Sequence, residues 1–330
     1  MKIAVLGSGA WGTALAKLLA DKGNEVLLFG QDARCESINT KHINEVFYPD
    51  VLLPENLTFT TDLGKAIAGK ELLLFSVPSA AYREVAKKVS ALVSQKVHIV
   101  STAKGFDPSS FERLSAVLRE EIPEALRYPI VTLIGPSYAT EVIHGKLTCV
   151  TAISQSEEEA RFIQKTFSGP LFRVYTNTDE VGAECSSALK NVIAIAAGIV
   201  AGLGQGENAK AALVTRGIAE MIRFGEASGG KKETYFGLTG IGDLMLTCNS
   251  MQSRNFSLGF AIGQADDAKS VLASNTKTVE GINTSKFAYE LSRQYGIEMP
   301  ITEAVYRILF ENVSPSKTVK TLMQRSLKKE

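Results

Sequence analysis

The residue best placed to do chemistry is a lysine inside an apolar helix pattern. Ala188-Leu189-Lys190-Asn191-Val192-Ile193-Ala194-Ile195-Ala196 is hydrophobic around most of a helical circumference, the mark of a buried helix. Lysine is almost never fully buried without a partner. Desolvation disfavours an ammonium and brings a lysine toward the range where it serves as general acid or base. The competing reading is a lysine whose head reaches water along its stem. Two further segments offer Lys190 company. Gly237-Leu238-Thr239-Gly240-Ile241-Gly242-Asp243 is a glycine-dense loop that presents one carboxylate, Asp243, unless it is only a turn or helix cap. Ser253-Arg254-Asn255 supplies a guanidinium between a hydroxyl and an amide, a set suited to a phosphate monoester. Its competing reading is a helix N-cap, Ser253, followed by a surface arginine.

A second constellation stands at the N-terminus. Gly7-Ser8-Gly9-Ala10-Trp11-Gly12 fits G-x-G-x-x-G and follows the strand-like run Ile3–Leu6. Gly7 permits the tight turn, Gly9 lets the backbone approach a diphosphate, and Gly12 lets the helix pack on the strand, with the helix N-terminus aimed at the anion. That context points to a nicotinamide dinucleotide, NADH or NADPH. An acidic residue about 20 positions on would read the adenosine ribose. Asp32 stands 32 − 12 = 20 after Gly12, but the second strand ends near Phe29-Gly30, so Gln31 holds the nearer position and Arg34 is close enough to meet a 2′-phosphate. Asp32 and Arg34 read equally well as a solvated loop pair. The choice between NAD and NADP stays open, leaning toward acceptance of NADPH. Past two further strand runs lie Lys104, in Thr102-Ala103-Lys104-Gly105-Phe106, and Gly135-Pro136-Ser137-Tyr138-Ala139. Ligands of open α/β sheets bind beyond the carboxyl ends of the strands.

These residues need two kinds of scaffold. Up to about residue 180, β-branched apolar runs alternate with helical patterns: strands at Ile3–Leu6, Glu25–Phe29, Leu72–Val77, Val97–Thr102, Ile130–Ile134, Thr148–Ala152 and Phe172–Tyr175, with helices at Trp11–Asp21, Tyr82–Val93, Phe111–Glu121 and Glu157–Thr166. Such alternation predicts a Rossmann-type, doubly wound, mostly parallel sheet, without fixing its strand order. From about Asp179 the pattern is helical: Ala183–Leu203, Asn208–Ala227, Val279–Tyr295, Ile301–Phe310 and a basic tail helix Lys317–Lys329, whose Lys328 and Lys329 read as a solvated end. The expected division is a dinucleotide-binding domain over residues 1–180 and an all-α substrate-binding and catalytic domain over 181–330, consistent with 330 residues.

Composition excludes several classes. Thirty-six Lys+Arg against thirty-five Asp+Glu give +1, no electrostatic reason to expect nucleic acid or an anionic membrane. Cys35, Cys149, Cys185 and Cys248 form no CxxC pair, and with His42, His98 and His144 they make no metal-ligand cluster. The apolar run before Gly7 is too short for a signal-peptide core. The longest uncharged apolar run, Val192–Leu203, falls short of the ~20 residues a span needs. A soluble protein of the cytoplasm is expected, with no membrane insertion.

Taken together, the motifs resemble the bacterial NAD(P)-dependent sn-glycerol-3-phosphate dehydrogenases over nearly the whole chain. They are GSGAWGTALA at 7–16, SVPS at 76–79, STAKG at 101–105, GPSYATE at 135–141, ALKNVIAIAAG at 188–198, GLTGIGDLMLTC at 237–248, QSRN at 252–255, VEG at 279–281 and MPIT at 299–302. The resemblance implies reduction of dihydroxyacetone phosphate to sn-glycerol 3-phosphate by hydride transfer from NAD(P)H, without a metal, feeding phospholipid synthesis, by a homodimer. It implies that Lys190 is the proton donor and acceptor. Lys104 would lie near both cofactor and substrate. Gly135, Ser137, Asp243, Ser253, Arg254 and Asn255 would contact substrate. Ala10, Trp11, Ala139, Thr278, Glu280 and again Arg254 would contact cofactor. Gln31 falls where the family often has a basic residue or His, and Thr278 replaces the commoner Val. Two other readings share the glycine loop: a dehydrogenase of another small hydroxy acid or phosphosugar, and a non-catalytic redox sensor. The first need not have Ser253-Arg254-Asn255, and the second would lose Lys190, Asp243 and Arg254.

Overall fold

A computed structural model describes every residue except Lys328 and Glu330, and the chain divides into two compact units, Met1–Glu180 and Val181–Glu330. In the first unit β1 (Lys2–Leu6), α1 (Ala10–Asp21), β2 (Glu25–Phe29), α2 (Ser37–Lys41), β3 (Leu57–Thr60), α3 (Leu63–Ile67), β4 (Leu72–Phe75), α4 (Ser79–Leu92), β5 (His98–Ser101), α5 (Leu114–Glu121), β6 (Val131–Ile134), α6 (Ala139–Ile143), β7 (Thr148–Ile153), α7 (Glu157–Phe167) and β8 (Phe172–Asn177) alternate. The eight strands form one sheet in the order β3-β2-β1-β4-β5-β6-β7-β8. Strands β1 to β6 are parallel, the order of a doubly wound dinucleotide fold. The sheet reverses once, where β7 runs antiparallel to β6, and β8 follows β7 in parallel. The mostly parallel, helix-covered sheet is the architecture that the alternation predicts.

Both faces of the sheet are covered, which is why its strands are continuous apolar runs. Ile3 and Val5 point to a layer formed by Leu15 and Leu19 of α1, Val142 of α6 and Ile163 and Phe167 of α7. Ala4 and Leu6 point to the other layer, with Ala66 of α3, Tyr82 and Val89 of α4 and Leu118 of α5. Side chains cap the outer edges, which would otherwise offer unpaired backbone groups. Asn39 accepts from Phe59 N and donates to Phe59 O on β3, while Ser168 and Gln164 do the same for Val174 on β8.

Helix bounds differ from the sequence pattern in several places, among them the start of α4 at Ser79 rather than Tyr82, and two differences have a clear physical cause. The expected helix over Phe111–Glu121 starts only at Leu114. Phe111 is left-handed at φ 61°, because Asp107 N bonds to Glu112 O and Phe111 N to Asp107 O in a tight loop. The expected tail helix Lys317–Lys329 is instead α15 (Pro315–Met323), opened by the Ser314 cap and a proline. Beyond Met323, Leu327 lies fully exposed, so no buried face sustains the helix; the expectation at Lys328 lies outside the described residues.

The second unit contains α8 (Glu180–Gly202), α9 (Gly206–Ala227), α10 (Asp243–Cys248), α11 (Arg254–Ala265), α12 (Ala268–Ser274), α13 (Glu280–Tyr295), α14 (Pro300–Phe310) and α15, with no strand among the described residues. By length and hydropathy α8 could cross a membrane, but 89% of its apolar window is buried inside the protein, the position of a core helix. It meets α11 backbone to backbone. A Cβ on Gly198 would stand 2.2 Å from Phe256 O, on Gly202 2.2 Å from Phe260 O, on Gly259 2.1 Å from Ile195 O and on Gly263 2.3 Å from Ile199 O. The pairs 256/198 and 260/202 differ by 58 and the pairs 259/195 and 263/199 by 64, so the two helices run parallel with Gly198 against the Phe256–Phe260 turn of α11.

Glu220 of α9, 1% exposed, caps α14 from outside that helix. The N-cap residue Met299 offers no side-chain acceptor, and the Glu220 carboxylate accepts from Ile301 N, Thr302 N and Thr302 Oγ1 at 2.6, 3.1 and 3.0 Å. Burial pushes this carboxyl up to about 7, against the pull of those three bonds and of Arg223. An acid whose folded pKa is raised contributes stability that is complete below about pH 4.5 and is lost as pH rises toward 7. The shift corresponds to about 3 kcal/mol. The Tm of Glu220→Gln should therefore gain on that of the native chain between pH 5 and 8, and a gap independent of pH would contradict this.

Candidate active site

The glycine loop of the first unit has the geometry a diphosphate requires. Gly7 adopts φ +122°, and a Cβ there would stand 2.4 Å from Ser76 O; one on Gly12 would stand 1.9 Å from Gly7 O. Above Gly9, by contrast, nothing among the described residues lies within 4 Å of an added Cβ. Gly9 is also the N-cap of α1, brings no capping side chain, and is followed by a first turn without an acid. The first amides of α1, from Ala10, Trp11 and Gly12, thus have no side-chain cap at the positive end of the helix, as an anion site needs. The loop is braced from behind by residues the sequence did not single out. Thr13 Oγ1 donates to Ser8 O, Asn44 Nδ2 donates to Thr13 Oγ1 at 2.9 Å, and Tyr48 Oη donates to Ala10 O at 3.1 Å. The residues present fit a dinucleotide.

In the loop after β2, Asp32 and Arg34 pair with each other. Asp32 accepts from Arg34 N at 3.0 Å and from the Arg34 guanidinium at 2.6 Å, which holds its carboxyl below the usual carboxylate range. Gln31 is exposed beside them. The other first-unit candidates follow the carboxyl ends of parallel strands, the edge that also carries the glycine loop. Lys104 is half-buried beyond β5, buried Gly135 ends β6, Ser137 Oγ donates to Gly135 O at 3.0 Å, and Ala139 opens α6.

In the second unit Lys190 is 3% exposed and Asp243 1%. The Lys190 Nζ lies 2.7 Å from Asp243 Oδ1 and donates to Thr247 Oγ1 at 2.9 Å. Thr247 in turn donates to Asp243 O at 2.6 Å, which turns its lone pair toward the ammonium. A buried lysine with a carboxylate partner is what the apolar helix required; the snorkelling alternative does not hold. Thr247 is a member of the cluster that the sequence reading missed. Its position four residues after Asp243, one turn along α10, was the signal that could have found it. Burial pushes the neighbouring Cys248 thiol up to about 12, so this thiol stays protonated at neutral pH.

The parallel seam places the remaining residues. Asn255, near the start of α11, comes beside Asn191, the residue after Lys190 on α8: a Cβ on Gly281 would stand 2.6 Å from Asn255 Oδ1 and 2.9 Å from Asn191 O. Gly281 N donates to Asn255 Oδ1 at 2.9 Å, which fixes the amide and leaves Nδ2 as its donor for a ligand. Ser253 does cap α11, accepting from Phe256 N, and its hydroxyl hydrogen remains a donor. Arg254 is exposed. Glu280 opens α13 beside Gly281, whereas Thr278 is exposed on the preceding loop. Among the described residues no three His, Cys, Asp or Glu side chains gather as metal ligands.

An eight-stranded, mostly parallel sheet with a bare glycine turn, followed by a helical unit holding a paired buried lysine, is the architecture of a nicotinamide-dependent dehydrogenase. Residues 2–160 match the NAD-dependent glycerol-3-phosphate dehydrogenase N-terminus and residues 179–320 the C-terminus of the same family. The chain belongs to the NAD-dependent glycerol-3-phosphate dehydrogenase family. It is 42% identical, over all 330 residues and 98% of the relative, to the glycerol-3-phosphate dehydrogenase (NAD(P)+) of Streptococcus pyogenes serotype M2. Among solved structures, glycerol-3-phosphate dehydrogenase from Coxiella burnetii superposes with a TM-score of 0.91 at 37% identity, covering 98% of this chain and 99% of that one. The Saccharomyces cerevisiae enzyme superposes with a TM-score of 0.86 at 28% identity and the same coverage.

Proposed function

We propose that this chain reduces dihydroxyacetone phosphate to sn-glycerol 3-phosphate with NADPH or NADH, and that Lys190 is its proton donor. The observation that carries the reading is the buried Lys190–Asp243–Thr247 cluster, with Asn255 beside Asn191, the next residue of the lysine helix. A bound dinucleotide would supply the hydride equivalent that reduces C2 of the substrate. Lys190, as ammonium, gives a proton to the C2 oxygen as negative charge develops there, becomes a neutral amine, and regains its proton from solvent before the next turnover. Asp243 and Thr247 orient the ammonium, and Asp243 balances its charge. Arg254 forks onto the phosphate while Asn255 Nδ2 and the Ser253 hydroxyl donate to it. Lys104 serves as a further cation for the substrate oxygens, and Gly135 and Ser137 as further substrate contacts. Gly7, Gly9, Ala10, Trp11 and Gly12 hold the diphosphate. Gln31, Ala139, Thr278 and Glu280 serve as further cofactor contacts.

In the cell this reading makes the chain a cytoplasmic homodimer that supplies glycerol 3-phosphate for phospholipid synthesis. Gln31 brings no charge to a 2′-phosphate and Arg34 is engaged by Asp32, so both reduced cofactors should be accepted. The test is oxidation of NADPH and of NADH with dihydroxyacetone phosphate, set against small oxo acids that lack a phosphate. Turnover with the phosphorylated ketone from either cofactor is expected. Faster turnover with an unphosphorylated acid would favour the hydroxy-acid reading, and binding of cofactor without any turnover the sensor reading.

A further inference from the structure

Asp243 can hold Lys190 only if the loop before it is fixed. That loop, Leu238–Gly242, is a wide helical turn in which Gly240 departs from helical geometry at φ −101°, ψ −105°. It leads directly into α10, whose first residue is Asp243. One wall is the backbone of Tyr235, since a Cβ on Gly240 would stand 2.0 Å from Tyr235 O. The other anchor is a side chain on the lysine helix. Ser186 Oγ, fully buried one turn before Lys190, donates to Thr239 O at 2.9 Å. This bond ties the loop to α8 itself, so Lys190 and the segment carrying its carboxylate share one frame.

We infer that Ser186 is a positioning residue, which sets the Lys190–Asp243 distance by holding the Thr239 carbonyl. The inference rests on the proposed role of Lys190 and deepens it. Neighbouring Ser187 supplies the control. It is equally buried on the same helix, yet its hydroxyl has no hydrogen-bond partner among the described residues, so its removal takes the same atom from the same helix without freeing the loop. Small misplacements of catalytic groups are expensive; about 1 Å can cost about 10²-fold in rate. A loosened carboxylate also favours the ammonium less, which lowers the pH at which the donor is lost.

The test compares the full-length Ser186→Ala, Ser186→Thr and Ser187→Ala chains in dihydroxyacetone phosphate reduction across pH. Ser186→Ala should lower kcat by about fivefold or more while KM stays within about twofold, and should move the basic limb of the kcat profile to lower pH. Ser186→Thr, which keeps the donor, should restore both, and Ser187→Ala should match the native chain. If Ser186→Ala does not fold, Ser186→Cys, a weaker donor of similar size, should show the same two shifts in reduced measure. Native kcat and pH profile in Ser186→Ala or, failing that chain, in Ser186→Cys would overturn the inference, as would equal losses in the two alanine variants. Lys190→Ala run alongside separates the failures, because native turnover there removes the underlying reading itself.

Discussion

Lys190→Ala is expected to lower kcat for dihydroxyacetone phosphate reduction by about 10²–10⁴-fold, the range that a positioned general acid contributes. Cofactor binding, followed by the fluorescence or protection of the dinucleotide, should change little, since the glycine loop lies in the other unit. The substitution does more than delete a donor, because it leaves Asp243 buried at 1% exposure without its cation. A buried carboxylate deprived of its partner is costly, so the Tm should fall as well. Lys190→Met, which keeps the volume of the stem, shares that loss of charge and should show the same collapse of kcat. Near-native turnover in either variant would show that the proton comes from elsewhere.

Gly259→Ala should have the largest effect of any change remote from the reacting groups. Its added methyl would meet Ile195 O at 2.1 Å, and that neighbour is helix backbone, which cannot rotate aside. The helices must separate or the seam must slip, at about 2 kcal/mol or more, even though alanine itself favours a helix by about 1 kcal/mol over glycine. In a unit of this size that is a fall in Tm of roughly 5 °C or more. Because α11 opens with Arg254 and Asn255 and is held against the lysine helix through this contact, KM for the phosphorylated substrate should rise together with the loss of kcat. Gly169→Ala, at a position where an added Cβ meets nothing within 4 Å, should do neither. A Gly259→Ala chain with native Tm and KM would mean that the seam does not set the site.

What the sequence made legible follows from how local each signal is. The glycine turn and the alternation of strand and helix are short-range patterns, and they led to the right sheet. Strand β3 was missed because Leu57–Thr60 alternates apolar residues with threonines instead of forming a continuous apolar run, and emerges from an irregular stretch. The reversal at β7 left no trace, since side-chain periodicity is the same in either direction. At the site, Lys190 stood out because a charge interrupts an apolar helix, and Asp243 because glycines surround it. Thr247, Ser186 and Asn44 did not, since a hydroxyl or amide in a helix or loop is ordinary until its partner is known. Glycines 198, 202, 259 and 263 carried no signal of their own, and their meaning is a contact between segments 58 to 64 residues apart. Glu220 likewise caps a helix about 80 residues away, which no local pattern announces.

The most direct measurement is a crystal structure of the chain with oxidised dinucleotide and sn-glycerol 3-phosphate bound together. The account predicts the C2 hydroxyl oxygen within about 2.6–3.2 Å of Lys190 Nζ, with Arg254 on the phosphate and the diphosphate over Gly9. A productive complex in which Lys190 Nζ stays with Asp243 and Thr247 but is out of reach of that oxygen, with another acid in contact with it, would contradict the account.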